Sequence, residues 1–334
     1  MAKTGAYNQL AISCGVICID AFVVEYVLGG TGGGTQVWGT YFGGDEEEAF
    51  LDIDITSNNG IVLVGRTYSS VKASSNPGHI PCTVPTNSDW FPDCDPGGGA
   101  YVQDHNLGLG TTGALDDMIV EFNSSGALVW STYFGGSKHE AFSPTISVSP
   151  YDSDVFAIGV ITLSPDFPVT GGGYQQPVVL GGSPKAYGGV AKFDQRNLTW
   201  STGYGADGCN TYTYDVKIGK CDFVYLTGRT SCDIPAGSGN HCAPPTNTTE
   251  FPICKRFGMF FQEDAGGNPI HYGANGASDG FLAIFDNSND LIYSGWLGAE
   301  GDDYIFAVAS DLANTTADRV YLGGGLIGST QLRL

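Results

Sequence analysis

The chain has 334 residues, with 14 Lys plus Arg against 35 Asp plus Glu and a formal net charge of −21. So acidic a chain offers no basic patch for phosphates, which argues against nucleic acid and anionic membrane surfaces as partners. Only 15% of residues are charged, while Gly reaches 50, Tyr 17 and Phe 18, so Gly-rich turns between aromatic and β-branched runs point to an all-β protein; no capped helical periodicity is visible and no apolar run is long enough to cross a membrane.

Residues 1–19 begin with Gly5-Ala6-Tyr7-Asn8-Gln9, followed by a short apolar stretch behind Lys3 that lacks a small-residue cleavage site. This segment is expected to be the end of a preceding repeat or a ring-closing strand. A first unit, 20–116, then shows strand-like runs at 20–26, 37–44, 49–55 and 61–67, followed by a long insert that carries cysteines. The second unit, 117–188, repeats the pattern at 117–122, 128–136, 140–142 and 155–159. The third, 189–278, does so at 189–193, 198–202, 214–218 and 223–230, again with a Cys-bearing insert; the fourth, 279–334, has runs at 279–285, 291–298 and 319–323. Units alternate long and short, so the chain reads as a doubled two-unit module.

Four short runs per unit, parted by Gly, Asn, Asp or Ser turns, predict a four-stranded antiparallel sheet that must bury its faces against its neighbours. On that expectation each unit is one blade of a β-propeller. Trp38, Trp130 and Trp200 recur at one position and read as packing between blades, with a sugar-stacking platform as the functional alternative. The first three units each close on a tail: Phe91-Pro92, Phe167-Pro168 and Phe251-Pro252, followed by Tyr101 and Gln103, Tyr174 and Gln176, and 259–262.

The strand, turn and tail pattern of Asp-Ala-Phe-Val, Val-Trp-Ser-Thr-Tyr-Phe-Gly-Gly, Glu-Ala, Val-Tyr-Leu-Thr-Gly and Asp-Phe-Pro resembles the SBBP (β-propeller) repeat family. Residues 117–176 carry the nearest match, and the similarity covers nearly the whole chain apart from the inserts. The resemblance implies a propeller fold and a large secreted or surface-attached protein; it carries no catalytic residues across.

Nine Cys residues and four acceptor sequons, at Asn123, Asn197, Asn247 and Asn314, favour an oxidising, extracellular setting with N-glycans. Cys82 with Cys94 and Cys242 with Cys254 are the best disulfide candidates, because both inserts repeat the pair at one spacing. Cys209, Cys221 and Cys232 could supply another bridge and Cys14 with Cys18 a fourth, which leaves one thiol unpaired or linked to another chain.

Acidic turns recur at matching places: Asp45 and Glu48, Glu140, and Asp302 with Asp303. Such carboxylates could bind Ca²⁺ with nearby carbonyls, or accept backbone N–H groups to fix the turn; no full ligand set of known spacing is visible, so the turn role leads. The five histidines are scattered and form no metal pair, and no nucleophile elbow or phosphate loop occurs. The expected function is therefore non-enzymatic: an extracellular structural protein, a subunit or segment of a surface appendage, filament or adhesin, partnered by itself or by other surface proteins. The alternatives are a carbohydrate- or protein-binding propeller and, behind it, a propeller hydrolase or lyase.

Overall fold

The computed structural model describes residues 5–10, 19–29, 33–44, 46–69, 82–83, 91–103, 115–140, 143–152, 154–178, 185–232, 242–244, 250–255, 278–298, 302–312 and 319–327. Among them are strands β1 (Ala21–Leu28), β2 (Gly34–Phe42), β3 (Glu48–Ile55), β4 (Ile61–Thr67), β5 (Asp116–Phe122), β6 (Leu128–Phe134), β7 (Thr145–Val148) and β8 (Val155–Thr162). The series continues with β9 (Tyr187–Asp194), β10 (Asn197–Tyr204), β11 (Thr211–Ile218), β12 (Val224–Thr230), β13 (Asp279–Phe285), β14 (Leu291–Leu297), β15 (Asp302–Ser310) and β16 (Val320–Ile327). The fold is all-β, every pairing is antiparallel, and no helix among the described residues is long and apolar enough to cross a membrane.

Local chemistry explains the turns between these strands. In the β5–β6 hairpin the Asn123 side-chain oxygen accepts the Ser125 and Ala127 amides, and Gly126 takes φ +75°, open to glycine at little cost. A side chain there would also strike the Trp38 indole, which packs over the turn.

The sheets correct the expectation that each sequence unit is one sheet. Three four-stranded sheets run β3-β4-β5-β6, β7-β8-β9-β10 and β11-β12-β13-β14, and β1-β2 and β15-β16 form two-stranded sheets. Each complete sheet thus takes two strands from one unit and two from the next. Strand-forming runs are local, but pairing partners are chosen by which faces can be buried together, and the second and third strand of a sheet sit on opposite sides of an insert or tail.

Packing between sheets is aromatic, with hydrogen bonds between their first strands. Trp130 is buried against Phe156 and Phe193 of the following sheet, and Trp200 meets Phe285 edge-on at 5.0 Å. At the first strand of each sheet, Asp52 and Asp54 of β3 accept the Ile146 and Val148 amides of β7 at 2.9 and 2.8 Å. Ser147 of β7 accepts the Ile218 amide of β11, and Asp215 of β11 accepts the Val308 amide of β15 at 2.7 Å. These bonds pair edge amides that would otherwise be orphaned as they are buried. A bidentate Arg196–Glu121 pair, at 2.6 and 2.7 Å, ties the β9–β10 turn to β5.

The tails act as clasps on the last strand of a sheet, and those at 101–103 and 174–176 lie in the connection between that sheet's second and third strands. Trp38, Trp130 and Trp200 each donate the indole N–H to a tail carbonyl at 2.9 Å, from Tyr7, Tyr101 and Tyr174 respectively. Two residues on, Gln9, Gln103 and Gln176 donate their backbone N–H to the hydroxyls of Thr40, Thr132 and Thr202, and their side-chain oxygens accept the hydroxyl of their own tail tyrosine. The opening segment therefore lies on β2, repeating at the first unit the clasp the other tails make.

Candidate functional site

Strand register aligns the units residue by residue. Phe42, Phe134, Tyr204 and Leu297 stand opposite Ala21, Asp117, Gly188 and Gly280. After each of these strand ends comes the turn that held the acidic candidates. Its key residue is Glu48, Glu140, Thr211 or Asp303, and the amide of each donates to the carbonyl of Ile19, Leu115, Ala186 or Ser278 at 2.6 to 2.9 Å. One backbone bond thus recurs four times and brings each turn residue under the glycine that follows the strand. A methyl group on Gly43, Gly135 or Gly298 would collide with the Glu48, Glu140 or Asp303 carboxylate, so the repeated glycine is required by the acid beneath it.

The carboxylates at these turns are bracing groups. Glu48 is buried, accepts the Thr67 hydroxyl at 2.7 Å and the Gly44 amide at 3.0 Å, and faces Thr67 across the β3–β4 pair. Burial pushes its pKa up to about 7, against the opposing pull of hydrogen bonds from Ser69, Thr67 and Gly44. Glu140 is buried likewise and accepts the Thr162 hydroxyl at 2.9 Å. Its pKa is raised by burial, against the opposing pull of hydrogen bonds that include those from Ser164 and Asp116. Asp117, wholly buried beside it, is raised well above the carboxylate range by burial and then by the Glu140 charge. Asp302 accepts the Ser278 amide at 2.7 Å, and Asp45 lies outside the described residues. Both Glu48 oxygens accept protein donors, and no group of three or more His, Cys, Asp or Glu able to hold a metal occurs among the described residues.

In the third unit the same turn is built from different chemistry. Tyr187 stands where Asp116 and Asp279 stand in their units, and Thr211 replaces the acid, bonding Thr230 at 3.0 Å between hydroxyls. Two residues to either side, the Glu46 amide donates to Ser69 Oγ in unit one and the Lys138 amide to Ser164 Oγ in unit two, at 3.0 and 2.9 Å. The positions equivalent to these pairs in unit three are Cys209 and Cys232, and they are joined by a disulfide.

This pairing corrects the expectation for Cys221, which is free and exposed on the Lys220–Asp222 turn, while Cys232 takes the bridge to Cys209. Disulfides also join Cys82 to Cys94 and Cys242 to Cys254. Each closes a loop within an insert whose second cysteine makes a backbone bridge to the last strand of the same sheet, Cys94 to Ser131 and Cys254 to Ser294; the short unit makes the same bridge with Thr170 to Ser201 and no cysteine. Cys14 and Cys18 lie outside the described residues, as do Asn247 and Asn314. Asn123 is exposed at its hairpin turn, and the half-buried Asn197 side chain donates to the Asp194 and Gln195 carbonyls.

Sequence reasoning missed an aromatic cluster on β11, β12 and β15. Tyr304 and Phe306 stack at 5.6 Å and 3°, Tyr214 meets Phe306 at 5.2 Å, and the Arg229 guanidinium lies 4.6 Å from Tyr212 and 4.9 Å from Tyr304. The signal was present as two aromatic-x-aromatic pairs, Tyr212/Tyr214 and Tyr304/Phe306, each starting one residue after the key turn position of its unit.

Compared with known proteins, the chain matches no family model and no curated protein.

Proposed function

We propose that this chain is an extracellular structural protein, a propeller-type array of SBBP-like repeats serving as a subunit or segment of a surface appendage, filament or adhesin. The observation that carries this reading is the interchange at one position of the repeat. Units one and two hold their turns by hydrogen bonds from Glu46 and Lys138, and unit three holds the same turn by the Cys209–Cys232 disulfide. A disulfide serving as a routine structural part belongs to an oxidising compartment. Sequential contacts of the first strands support inner strands gathered about one axis, as a propeller requires. The exposed Asn123 turn supports glycosylation.

The test is the native protein, purified with its thiols blocked at lysis. Mass spectrometry is expected to find the 82–94, 209–232 and 242–254 links and a glycan at Asn123, and sedimentation to find assemblies. A reduced, unglycosylated monomer would refute the proposal. The second reading, a carbohydrate-binding module, is favoured by the half-exposed Tyr304–Phe306 stack, since flat aromatic faces take up sugar rings. Phe306→Ala is then expected to abolish retention on a polysaccharide column that retains the wild type; equal elution of both proteins refutes this reading.

A further inference from the structure

A buried acid in unit two has no counterpart in the other units. Asp117 stands opposite Phe134 across the β5–β6 pair, and the matching residues elsewhere are Ala21, Gly188 and Gly280. This position abuts the sheet that follows. A methyl group on Gly188 would lie 2.9 Å from the Thr213 hydroxyl of β11, and one on Gly280 would lie 2.7 Å from Ile305 of β15. Three units thus keep the close approach small and uncharged, and unit two fills it with a carboxylic acid. We propose that Asp117 makes the seam between the β3-β4-β5-β6 and β7-β8-β9-β10 sheets a proton-gated contact, closed while its carboxyl is protonated and parted when it ionises.

Nothing in the fold compensates this acid. Asp117 is 1% exposed, and neither carboxyl oxygen has a hydrogen-bond partner. Arg66, its neighbour across the β4–β5 pair, gives it no hydrogen bond. Ile119, two residues along the same face, belongs with Val64, Phe134 and Val160 to the apolar cluster between the two sheets. The titratable groups on the elements packed about it are Arg66 on β4, Asp116 and Glu121 on β5, His139 and Glu140 in the turn ahead of β7, and Tyr187 on β9. Of these, Glu121 is neutralised by Arg196, and His139 Nδ1 accepts the Leu115 amide. Burial, and then the Glu140 charge, favour the neutral form of Asp117.

Ionisation would leave a charge without a counter-ion in an apolar contact, next to a second carboxylate, and only water relieves it. Water reaches Asp117 when the sheets part at its end of β5. Further along β5 the bidentate pair between Glu121 and Arg196 of the β9–β10 turn keeps its hold, so the seam parts about that pair as a hinge. The first bond lost is the one that ties the turn ahead of β7 to the start of β5, from the Glu140 amide to the Leu115 carbonyl at 2.8 Å. Because the folded-state value lies above the ordinary 3.8, this share of the stability is fully present below that reference and is lost as pH rises through the raised value. The seam is closed in acid and loosened in alkali.

Amide hydrogen exchange tests the gate, in the full chain carrying Glu48→Gln so that Glu48 does not titrate in the same range. Protection of the Glu140 amide, corrected for the intrinsic pH dependence of exchange, is expected to hold in acid and then to fall about tenfold per pH unit as Asp117 ionises. Asp117→Asn keeps the shape of the side chain, and Asp117→Gly supplies the residue of units three and four. Both are expected to keep the acid level of protection up to pH 9. Glu140→Gln, read at the Leu163 amide that donates to the His139 carbonyl, removes a neighbouring charge and is expected to move the fall to lower pH. A flat profile in the parent chain overturns the proposal, as does a fall that persists in both Asp117 variants or disappears in Glu140→Gln. Recovery of protection at pH 9 on adding Ca²⁺ to the parent, but not to Asp117→Asn, would make Asp117 a cation ligand and overturn it as well.

Discussion

The turns of units one and two and the turn of unit three share one backbone course and hold it by opposite means. In the first two, a buried carboxylate accepts hydrogen bonds from a threonine hydroxyl and nearby groups, and an amide-to-serine bond closes the loop alongside it. In the third, two neutral hydroxyls replace the acid and a disulfide replaces the closing bond. The acid version stabilises the folded state through contacts and pays in desolvation, visible in the raised pKa of Glu48 and Glu140. The disulfide version acts mainly on the unfolded chain and carries no charge to desolvate. One turn is thus sensitive to pH and the other to redox state.

Breaking the covalent version should have the largest effect. With Cys209 and Cys232 23 positions apart, the paired changes Cys209→Ser and Cys232→Ser are expected to cost about 3.5 kcal/mol in the loop-entropy model, read from the urea midpoint. A loss under about 1 kcal/mol would show that the hydrogen bonds of the turn, Thr211 to Thr230 and the Asn210 amide to Ser231 among them, hold it without the disulfide.

Next comes Glu48→Gln. The folded-state pKa is raised to about 7 from a reference of 4.5, so the folded chain binds this proton more tightly than the unfolded chain. The resulting stabilisation is fully present below the reference value and is lost as pH rises through about 7. At about 1.4 kcal/mol per unit the loss is about 3 kcal/mol, and the Tm difference between pH 5 and pH 8 should shrink in the variant. Thr211 contributes nothing in that window, so a matched Thr211→Val change should leave the pH profile parallel to wild type. An unchanged Tm difference in Glu48→Gln would rule out Glu48 as the source.

The smallest effect converts one version into the other. Glu46→Cys with Ser69→Cys places two cysteines where Cys209 and Cys232 stand in unit three, and should close a disulfide in air. A gain of about 1 to 2 kcal/mol is expected in oxidising buffer and none in reducing buffer. Failure of the pair to oxidise would mean that the two turns match in hydrogen bonding but differ in side-chain direction.

The strands, their repeat and the aromatic packing were legible in the sequence because alternation and turn residues are local signals. The phase of the sheets was not, since nothing in the runs at 49–67 says whether they pair backward to 20–44 or forward across an insert to 116–134. The role of the turn acids was half legible: recurrence marked Glu48 and Glu140, but only burial and the facing Thr67 and Thr162 distinguish a brace from a cation ligand. The partner of Cys209 was readable in principle, because Cys209 lies two residues before the turn position and Cys232 two after the facing threonine, where Glu46 and Ser69 lie in unit one. Counting cysteines alone kept Cys221 in contention.

The half-unit offset between sequence units and sheets bears on how such a chain can change in length. Because the seam of every sheet falls in the middle of a unit, an exchange between two gene copies at positions one unit apart leaves each half sheet with a matching half. The tails extend this, since each grips the unit after its own and so accepts whichever copy follows. Gain or loss of whole units therefore leaves every sheet seam with matching halves, and an insert acquired by one unit, as at 82–94 and 242–254, can be copied with its disulfide intact.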